Sequence, residues 1–275
     1  MKTFFRASAQ LFIGVSLLFC IASCADTPAD IVKKKQSELK KTLDNLNAIA
    51  GKVSDQKLGS DKISLPAKAP VMDMDDLGAY SYEGASNTQL FTVQDLLDPE
   101  GKSLKMHLFP PRTTWQTVKA MVQDGKFPES EQESLKALKR LSNWRYALVI
   151  KTRSVQAPQI ASEPVSTSVT DNKVYSSGTF TGGFMEGDVL IYDLDSTGFL
   201  GGFPFTAKCS ENVESTTYGG GNSNDGLQQQ LDRDFTEQIK KAVFYGLLDR
   251  VPNDRLYING NIRQRVLTER GKKSD

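Results

Sequence analysis

The first 24 residues have the pattern of a targeting segment, and this pattern decides which part of the chain belongs to the folded protein. Lys2 and Arg6 precede an uncharged, mostly apolar run from Leu11 to Ala22. The run is too short for a membrane-spanning helix, which needs about 20 apolar residues. A basic start followed by a short apolar run is typical of a secretory signal peptide that is later removed. We therefore expect the folded protein to be built from the residues after position 23.

The end of this run, Ile21-Ala22-Ser23-Cys24, resembles the lipobox of bacterial lipoproteins. The resemblance implies cleavage between Ser23 and Cys24 and attachment of diacylglycerol to Cys24. Ala25 rather than aspartate follows the cysteine, which in Gram-negative lipoproteins favours the outer membrane facing the periplasm. An ordinary cleaved signal, with Cys24 as an incidental thiol, is the alternative. The resemblance covers only the first two dozen residues and implies nothing about the globular part.

Charge and cysteine content narrow the possible partners and crosslinks. The chain has 275 residues, 34 Lys and Arg, and 33 Asp and Glu. Removing residues 1–23 deletes two basic residues, which leaves a near-neutral chain without the basic field that favours nucleic acid. With Cys20 removed and Cys24 acylated, Cys209 has no partner for an intramolecular disulfide. We predict no nucleic-acid partner and a buried thiol at Cys209.

A helix is predicted directly after the anchor. Thr27 is a suitable N-cap, Pro28 suits the first helical position, and Asp30 places a carboxylate in the first turn. An apolar stripe, interrupted only by Gln36, follows at helical spacing: Val32, Leu39, Leu43, Leu46, Ala50 and Val53. The stripe indicates either docking on the protein's own core or pairing with another helix. In the second case Leu39, Leu43 and Leu46 form a partner surface.

The chain divides into five predicted segments. Residues 1–23 are the signal peptide, and 24–58 are the lipid anchor with the amphipathic helix. Residues 59–112 lack periodicity and predict an irregular linker or covering segment. Residues 113–262 form an α+β globular domain, and 263–275 are a basic tail.

Helical signals in the globular domain come before and after the strand signals. The stripe Trp115, Val118, Met121 and Val122 predicts a helix ending near Gly125. Ser130 and Glu133 form a capping pair for a second helix. A third begins near Leu227 and stops before Pro252. The second helix leads to a predicted strand at 146–152, and a last small hairpin is predicted at Asn259-Gly260.

The strongest strand signal is a hairpin around "DSTG", in which we expect Asp195 to open the turn and Gly198 to supply a positive φ. In its second arm, alternation predicts that Phe199, Phe203, Phe205, Ala207 and Cys209 share one face. Pro204 has the opposite parity and lacks an N–H, so this arm is predicted to be an edge or bulged strand that can accept a partner's segment. A simply bent sheet is the alternative. Segments 155–172 and 211–226 are predicted to be long loops.

Together these signals predict an α+β fold: a small antiparallel sheet with helices packed on one face, preceded by an N-terminal amphipathic helix.

Known catalytic patterns find little support in this sequence. His107 is the only histidine, and it lies beside prolines, so a structural role is favoured over a Ser-His-Asp site. One histidine and one available cysteine cannot supply the usual zinc ligands. Asp188, Asp193 and Asp195 are candidate ligands for a hard cation, but they lack the spacing of a calcium loop. We predict no catalytic residues, no metal site and no cofactor.

The sequence therefore predicts a lipid-anchored protein of the cell envelope. We expect a non-catalytic accessory or assembly factor that is held to the membrane through Cys24 and binds another envelope component, through the leucine stripe or the strand containing Pro204. Two other functions stay open. One is an envelope hydrolase that uses Asp or Glu residues held together in a cleft. The other is a carrier that holds a small apolar ligand between the sheet and its helices.

Overall fold

The computed structural model describes most of the chain after the lipobox. The described residues are 26–59, 62–73, 86–97, 117–161, 165–170, 173–177, 180–210, 215–218 and 223–257. Several predictions fall outside them: the cleavage and lipidation residues Ser23 and Cys24, the role of His107, the hairpin at Asn259-Gly260 and the basic tail 263–275. None of the described helices is long and apolar enough to span a membrane.

Four α-helices are described: α1 Pro28–Val53, α2 Val93–Leu97, α3 Glu131–Asn143 and α4 Ser223–Arg250. A π-helix at Ala120–Asp124 precedes α3, and a 3₁₀ turn at Asn253–Arg255 follows α4. The strands are β1 Met72–Asp73, β2 Thr88–Thr92, β3 Tyr146–Gln156, β4 Gln159–Ile160, β5 Val165–Thr170, β6 Lys173–Ser177, β7 Phe180–Thr181, β8 Phe184–Asp193, β9 Gly198–Lys208, β10 Ser215–Tyr218 and β11 Leu256–Tyr257.

The central sheet has the order β2-β3-β8-β9 and is mixed. β2 runs parallel to β3, whereas β3, β8 and β9 are antiparallel neighbours. Helices with a mixed sheet agree with the predicted α+β class. The prediction of an antiparallel sheet is wrong at β2, which lies in the segment 59–112 that we expected to be irregular. A parallel neighbour requires a crossover connection, and here the chain passes through α2, the π-helix and α3 between the two strands.

Smaller sheets account for two segments that we expected to be loops. β5, β6 and β10 form a three-stranded sheet in the order β10-β6-β5, and β4 pairs with β7. The predicted loop 155–172 therefore contains β4 and β5, and the predicted loop 211–226 contains β10. These strands are rich in Ser and Thr and carry no long apolar alternation, which is why the sequence pattern missed them.

Helices cover both faces of the central sheet, so the prediction of helices on one face is wrong. On one face α4 packs through Phe235 and Ile239 against Leu148 of β3. On the other face α1 and α3 pack against Val149 of β3 and Leu190 of β8. Five consecutive residues of β3, 146–150, are buried. Such an uninterrupted apolar run is typical of a strand that is covered on both sides.

The leucine stripe of α1 lies in the second of these cores. Leu39, Leu43 and Leu46 are 0 % exposed and belong to the cluster that includes Leu138 and Leu141 of α3. The assignment of these leucines to a partner surface is therefore corrected: their own sheet and α3 cover them. Docking on the protein's own core, the other interpretation of the stripe, agrees with this packing.

Capping residues set the helix boundaries at this end of the molecule. The Thr27 side chain accepts a hydrogen bond from the Asp30 N–H, and the Asp30 carboxylate accepts one from the Thr27 N–H. Ser130 Oγ accepts from the Glu133 N–H at 3.3 Å, which confirms the predicted cap of α3. Gly125, at φ 65°, ends the preceding π-helix in the left-handed region.

The predicted hairpin is present as β8 and β9, with a different turn chemistry from the one expected. Asp193, not Asp195, organises the turn: its carboxylate accepts from the Asp195 N–H at 3.0 Å and from Ser196 Oγ at 2.8 Å. Thr197, at φ 54°, is the residue with positive φ, and Gly198 is not. A short polar side chain that binds the backbone two residues on stabilises such a turn without glycine.

A bulge in β9 divides its aromatic residues between the two cores. Ile191 pairs with Gly201 and Tyr192 pairs with Phe199, so Leu200 is the extra residue. Phe199 consequently packs on the Tyr192 ring on the α1 side, with ring centroids 5.5 Å apart. Phe203, Phe205, Ala207 and Cys209 lie on the α4 side. The predicted shared face is correct for these four residues and wrong for Phe199.

Candidate functional site

The sheet extends beyond the end of α1, which leaves part of one face uncovered. Lys151 marks the limit: its Nζ donates to the backbone oxygens of Ser54 at 2.5 Å and Gln56 at 3.1 Å. A lysine at a helix C-terminus satisfies carbonyl groups that have no partner within the helix and opposes the negative end of the helix dipole. Beyond Lys151, residues 152–156 of β3 are all exposed.

Strand register identifies the residues on this uncovered surface, which we call the open face. Asp188 of β8 lies between Lys151 of β3 and Pro204 of β9. Because neighbours in register point to the same side of a sheet, the other members follow from the pairing. The open face consists of Lys151, Ser154 and Gln156 on β3, Phe184, Glu186 and Asp188 on β8, and Pro204, Thr206 and Lys208 on β9.

The reverse side of β8 and β9 is closed. Met185 of β8 and Phe205 and Ala207 of β9 are buried in the core beneath α4. The β8 residues on the open face are half-buried, and Pro204, Thr206 and Lys208 are exposed. This part of the sheet therefore presents a polar, accessible surface on a rigid support.

The charged groups of the open face have partners nearby. Arg153, at the register shift of β3, places Nη1 3.2 Å from Asp188 Oδ1, although this oxygen accepts no hydrogen bond of good geometry. Lys208 Nζ lies 6.0 Å from the centre of the Phe184 ring. The surface carries both positive and negative groups, and an aromatic ring lies beside Lys208. Such a mixed surface suits contact with another macromolecule better than the concentration of charge that a catalytic cleft uses.

Pro204 lies on the last strand of the central sheet, which confirms the prediction of an edge or bulged strand. Part of this edge is occupied, because the Ser64 N–H donates to the Leu200 carbonyl at 2.8 Å. Proline has no N–H to offer an added strand. The exposed side chains of β9 are therefore a better candidate contact than its backbone edge.

A second polar cluster lies at the hairpin tip and is structural. Arg145 Nη2 donates to the buried Asp193 carboxylate at 3.1 Å, and Arg145 also pairs with Asp195. Asn45 and Lys52 of α1 donate to the tip, at the Leu194 carbonyl and Thr197 Oγ1. These contacts fix the tip against α1 and the start of β3.

The three aspartates considered as cation ligands lie apart and pair with two different arginines. Asp188 faces Arg153, and Asp193 and Asp195 face Arg145. Among the described residues, no group of three or more His, Cys, Asp or Glu side chains is placed to hold a metal ion. The arginines neutralise carboxylates that a cation site would need free.

Cys209 is half-buried where β9 ends beside α4. Burial raises the pKa of the thiol to about 11, and neighbouring Asp234 also raises it, while the Gly183 backbone opposes the shift. The next residue, Ser210, donates through its N–H to Asp234 at 2.7 Å. A thiol with a raised pKa is a poor nucleophile at neutral pH.

The space considered for a small apolar ligand, between the phenylalanine face of the sheet and its helices, is filled where it is described. Phe203 of β9 and Phe235 of α4 are both 0 % exposed within one core.

Comparison with known proteins gives no family by which to interpret these surfaces. No protein-family model, curated protein or solved structure matches the chain. The arguments on function therefore rest on the residues and on their placement in the fold.

Proposed function

We propose that this chain is a lipid-anchored protein of the cell envelope that binds another envelope component through the open face. It is held to the membrane through Cys24, and in a Gram-negative host it lies on the outer membrane facing the periplasm. Its role is that of an accessory or assembly factor, and binding rather than catalysis is the activity of the folded part. The lipobox resemblance supports the anchor, and the open face supports the binding role.

The observation that carries the proposal is the position of α1 between these two features. Cys24 lies three residues before Thr27, the N-cap of α1, and the open face begins where Lys151 binds the carbonyls that follow the other end of α1. Its 26 residues, at about 1.5 Å each, give a length of about 39 Å. A lipid on Cys24 would therefore hold one end of the molecule at the bilayer and leave the open face at the opposite end, accessible to a partner.

The composition of the open face supports a macromolecular partner. Protein interfaces place aromatic residues in their buried centre and polar residues at the rim, commonly on surfaces whose shape is already formed. The sheet beneath the open face is buried on its reverse side by α4, so few conformations are lost on binding. Phe184 offers apolar area, and Lys208 and Glu186 offer opposite charges for orientation.

The anchor is tested by replacing Cys24 with alanine in the full-length chain. We expect Cys24→Ala to lose incorporation of a labelled fatty acid and to leave the membrane fraction or accumulate uncleaved. Cys20→Ala is the matched control, since this cysteine lies within the removed segment and should be silent. A Cys24→Ala protein that is still processed and membrane-bound would exclude lipid attachment at this residue.

The binding role is tested by extraction of the acylated protein in mild detergent, followed by affinity capture and mass spectrometry. A partner recovered in stoichiometric amount with the unaltered protein should be lost from the double variant Thr206→Glu, Lys208→Glu. Lys40→Glu, on the exposed side of α1, is the control for a change of charge elsewhere. Equal recovery from all three proteins would contradict a role for the open face.

A further inference from the structure

The N-termini of α1 and α3 lie side by side at the end of the molecule opposite the open face. A groove of about 280 Å³ separates them, and Thr27, Pro28 and Ala29 of the α1 start line it together with Phe127 and Pro128. Both helices are capped by their own side chains, Thr27 and Ser130. The groove is therefore apolar along one side and has its helix ends already satisfied.

Phe127 is the large exposed apolar side chain of this groove. It is 41 % exposed and follows Gly125, whose left-handed conformation turns the chain out of the π-helix. The Phe127 ring belongs to neither described core. Beside a groove that is partly apolar, such a ring offers apolar area that a contact outside the folded chain can bury.

The length of chain before the groove limits what that contact can be. Thr27 lies three residues after Cys24, and an extended chain spans at most about 3.6 Å per residue, or about 11 Å in all. If Cys24 carries lipid, the Thr27 end of the groove is therefore held within about 11 Å of the lipid-bearing residue. This step rests on the anchor proposed above.

We propose that Phe127 and the groove beside it contact the lipid bilayer, with the Phe127 ring at the boundary between headgroups and acyl chains. Amphipathic surface elements bury their apolar side about 5 to 10 Å into this boundary. The contact gives the molecule a second attachment besides the lipid, and it orients α1 away from the membrane. The open face is then presented at a defined height rather than on a freely rotating tether.

Local charge indicates that the contact is apolar and not electrostatic. Lys34 pairs with Asp26 at 2.5 Å, and Asp30 is occupied by Thr27, whose hydrogen bonds are the largest cause of the lowered pKa of Asp30. Lys33 and Lys35 are also exposed at this end of α1, and acidic side chains oppose them in the first turn of α3, at Glu131 and Glu133. With both signs present, attraction to an anionic surface is small. We expect lipid contact to be nearly the same on zwitterionic and on anionic bilayers.

The test places a photo-crosslinking benzoyl-phenylalanine at position 127 or, as control, at position 155. Val155 is an apolar side chain of similar exposure, 45 %, beyond the Lys151 end of α1. The full-length acylated proteins are reconstituted in phosphatidylcholine vesicles with and without phosphatidylglycerol and then irradiated. Mass spectrometry measures acylation at Cys24 and, separately, lipid adducts at each position.

We expect lipid adducts at 127 to exceed those at 155 several-fold, with little change when phosphatidylglycerol is added. Equal adduct yields at 127 and 155 in a protein that is acylated and vesicle-bound would overturn the Phe127 contact and leave the anchor standing. Adducts at position 127 that form only when phosphatidylglycerol is present would overturn the proposal that the contact is apolar. A protein without acylation at Cys24 would overturn both this inference and the proposed anchor.

Discussion

Gly246 of α4 lies directly against the ring of Phe203 in β9. A Cβ built on Gly246 would be 2.0 Å from Cε2 of that ring, a separation that no real contact allows. Phe203 is 0 % exposed, and the Arg250 guanidinium lies over the same ring, 5.1 Å from its centre. The missing side chain of one glycine therefore lets the longest helix approach the sheet closely.

We predict that Gly246→Ala destabilises the protein even though alanine favours helices. Overpacking a filled core costs about 1 to 3 kcal/mol. Gly51, near the end of α1, has nothing within 4 Å of its Cβ position and is the matched control. Gly51→Ala should stabilise by about 0.5 to 1 kcal/mol. Urea denaturation of both variants measures the change in the free energy of unfolding, which should have opposite signs in the two. Stabilisation by Gly246→Ala would show that the contact with Phe203 relaxes freely.

A second prediction concerns the hairpin tip, where Asp193 is 4 % exposed and accepts hydrogen bonds from Arg145 and Ser196. Asp193→Ala should cost about 2 to 4 kcal/mol, because it leaves a half-buried guanidinium without this carboxylate. Ser196→Ala removes two hydrogen bonds, the one donated to Asp193 and an exposed one accepted from the Gly198 N–H, and should cost about 1 to 1.5 kcal/mol. Thermal denaturation ranks the two variants, and equal losses would contradict the role given to the Arg145 pair.

A third prediction tests the bulge that separates Phe199 from Phe203. Gly201 has φ 130°, and a Cβ there would lie 2.5 Å from the Lys62 carbonyl oxygen. Backbone strain of this kind costs about 1 to 3 kcal/mol, and the steric conflict adds to that cost. Gly201→Ala should therefore destabilise the protein by this amount or more. Gly198→Ala, where a new Cβ meets only the movable Ser196 side chain at 3.0 Å, should cost less than about 1 kcal/mol. If both variants unfold at the same denaturant concentration, the bulge does not require glycine.

A fourth prediction concerns Cys209, the only thiol in a Cys20→Ser, Cys24→Ser chain. With a pKa of about 11, the native thiol should react with maleimide at neutral pH about a hundredfold more slowly than after unfolding. Fast native labelling would contradict protection of the half-buried thiol by the fold.

The same raised pKa predicts a pH dependence of stability. The unfolded chain loses the Cys209 proton at a lower pH than the folded chain, so the contribution of this group is fully present below the ordinary thiol pKa. It is lost as the pH rises from that value through about 11. Cys209→Ala in the same background removes this dependence, and the difference between the two denaturation curves isolates it from other alkaline titrations.

Local signals in the sequence predicted the elements with strong periodicity or capping chemistry. The stripe from Leu227 predicted α4, the Ser130 and Glu133 pair predicted the start of α3, and the "DSTG" turn predicted the β8–β9 hairpin. Each of these depends on residues a few positions apart, so the information lies within the segment itself.

The sequence also contains a local signal that helices cover both faces of the central sheet. The runs "YALVI" in β3 and "VLIY" in β8 are continuously apolar, as expected of a strand between two helix layers. The sequence signal for β2 is weaker, because this strand has only five residues and leads directly into a short helix. Its parallel partner β3 is more than 50 positions away, so no local pattern indicates their pairing.

The amino-acid sequence by itself determined the helix caps, the amphipathic stripes and the hairpin, because neighbours along the chain decide those features. Only the tertiary structure decided which surface each stripe meets and which part of the sheet stays uncovered. Leu43 of α1 is buried because α3 and the sheet meet it, and Thr206 of β9 is exposed because α1 ends near Lys151. Both outcomes depend on contacts between residues about 100 or more positions apart, and no local pattern encodes that separation.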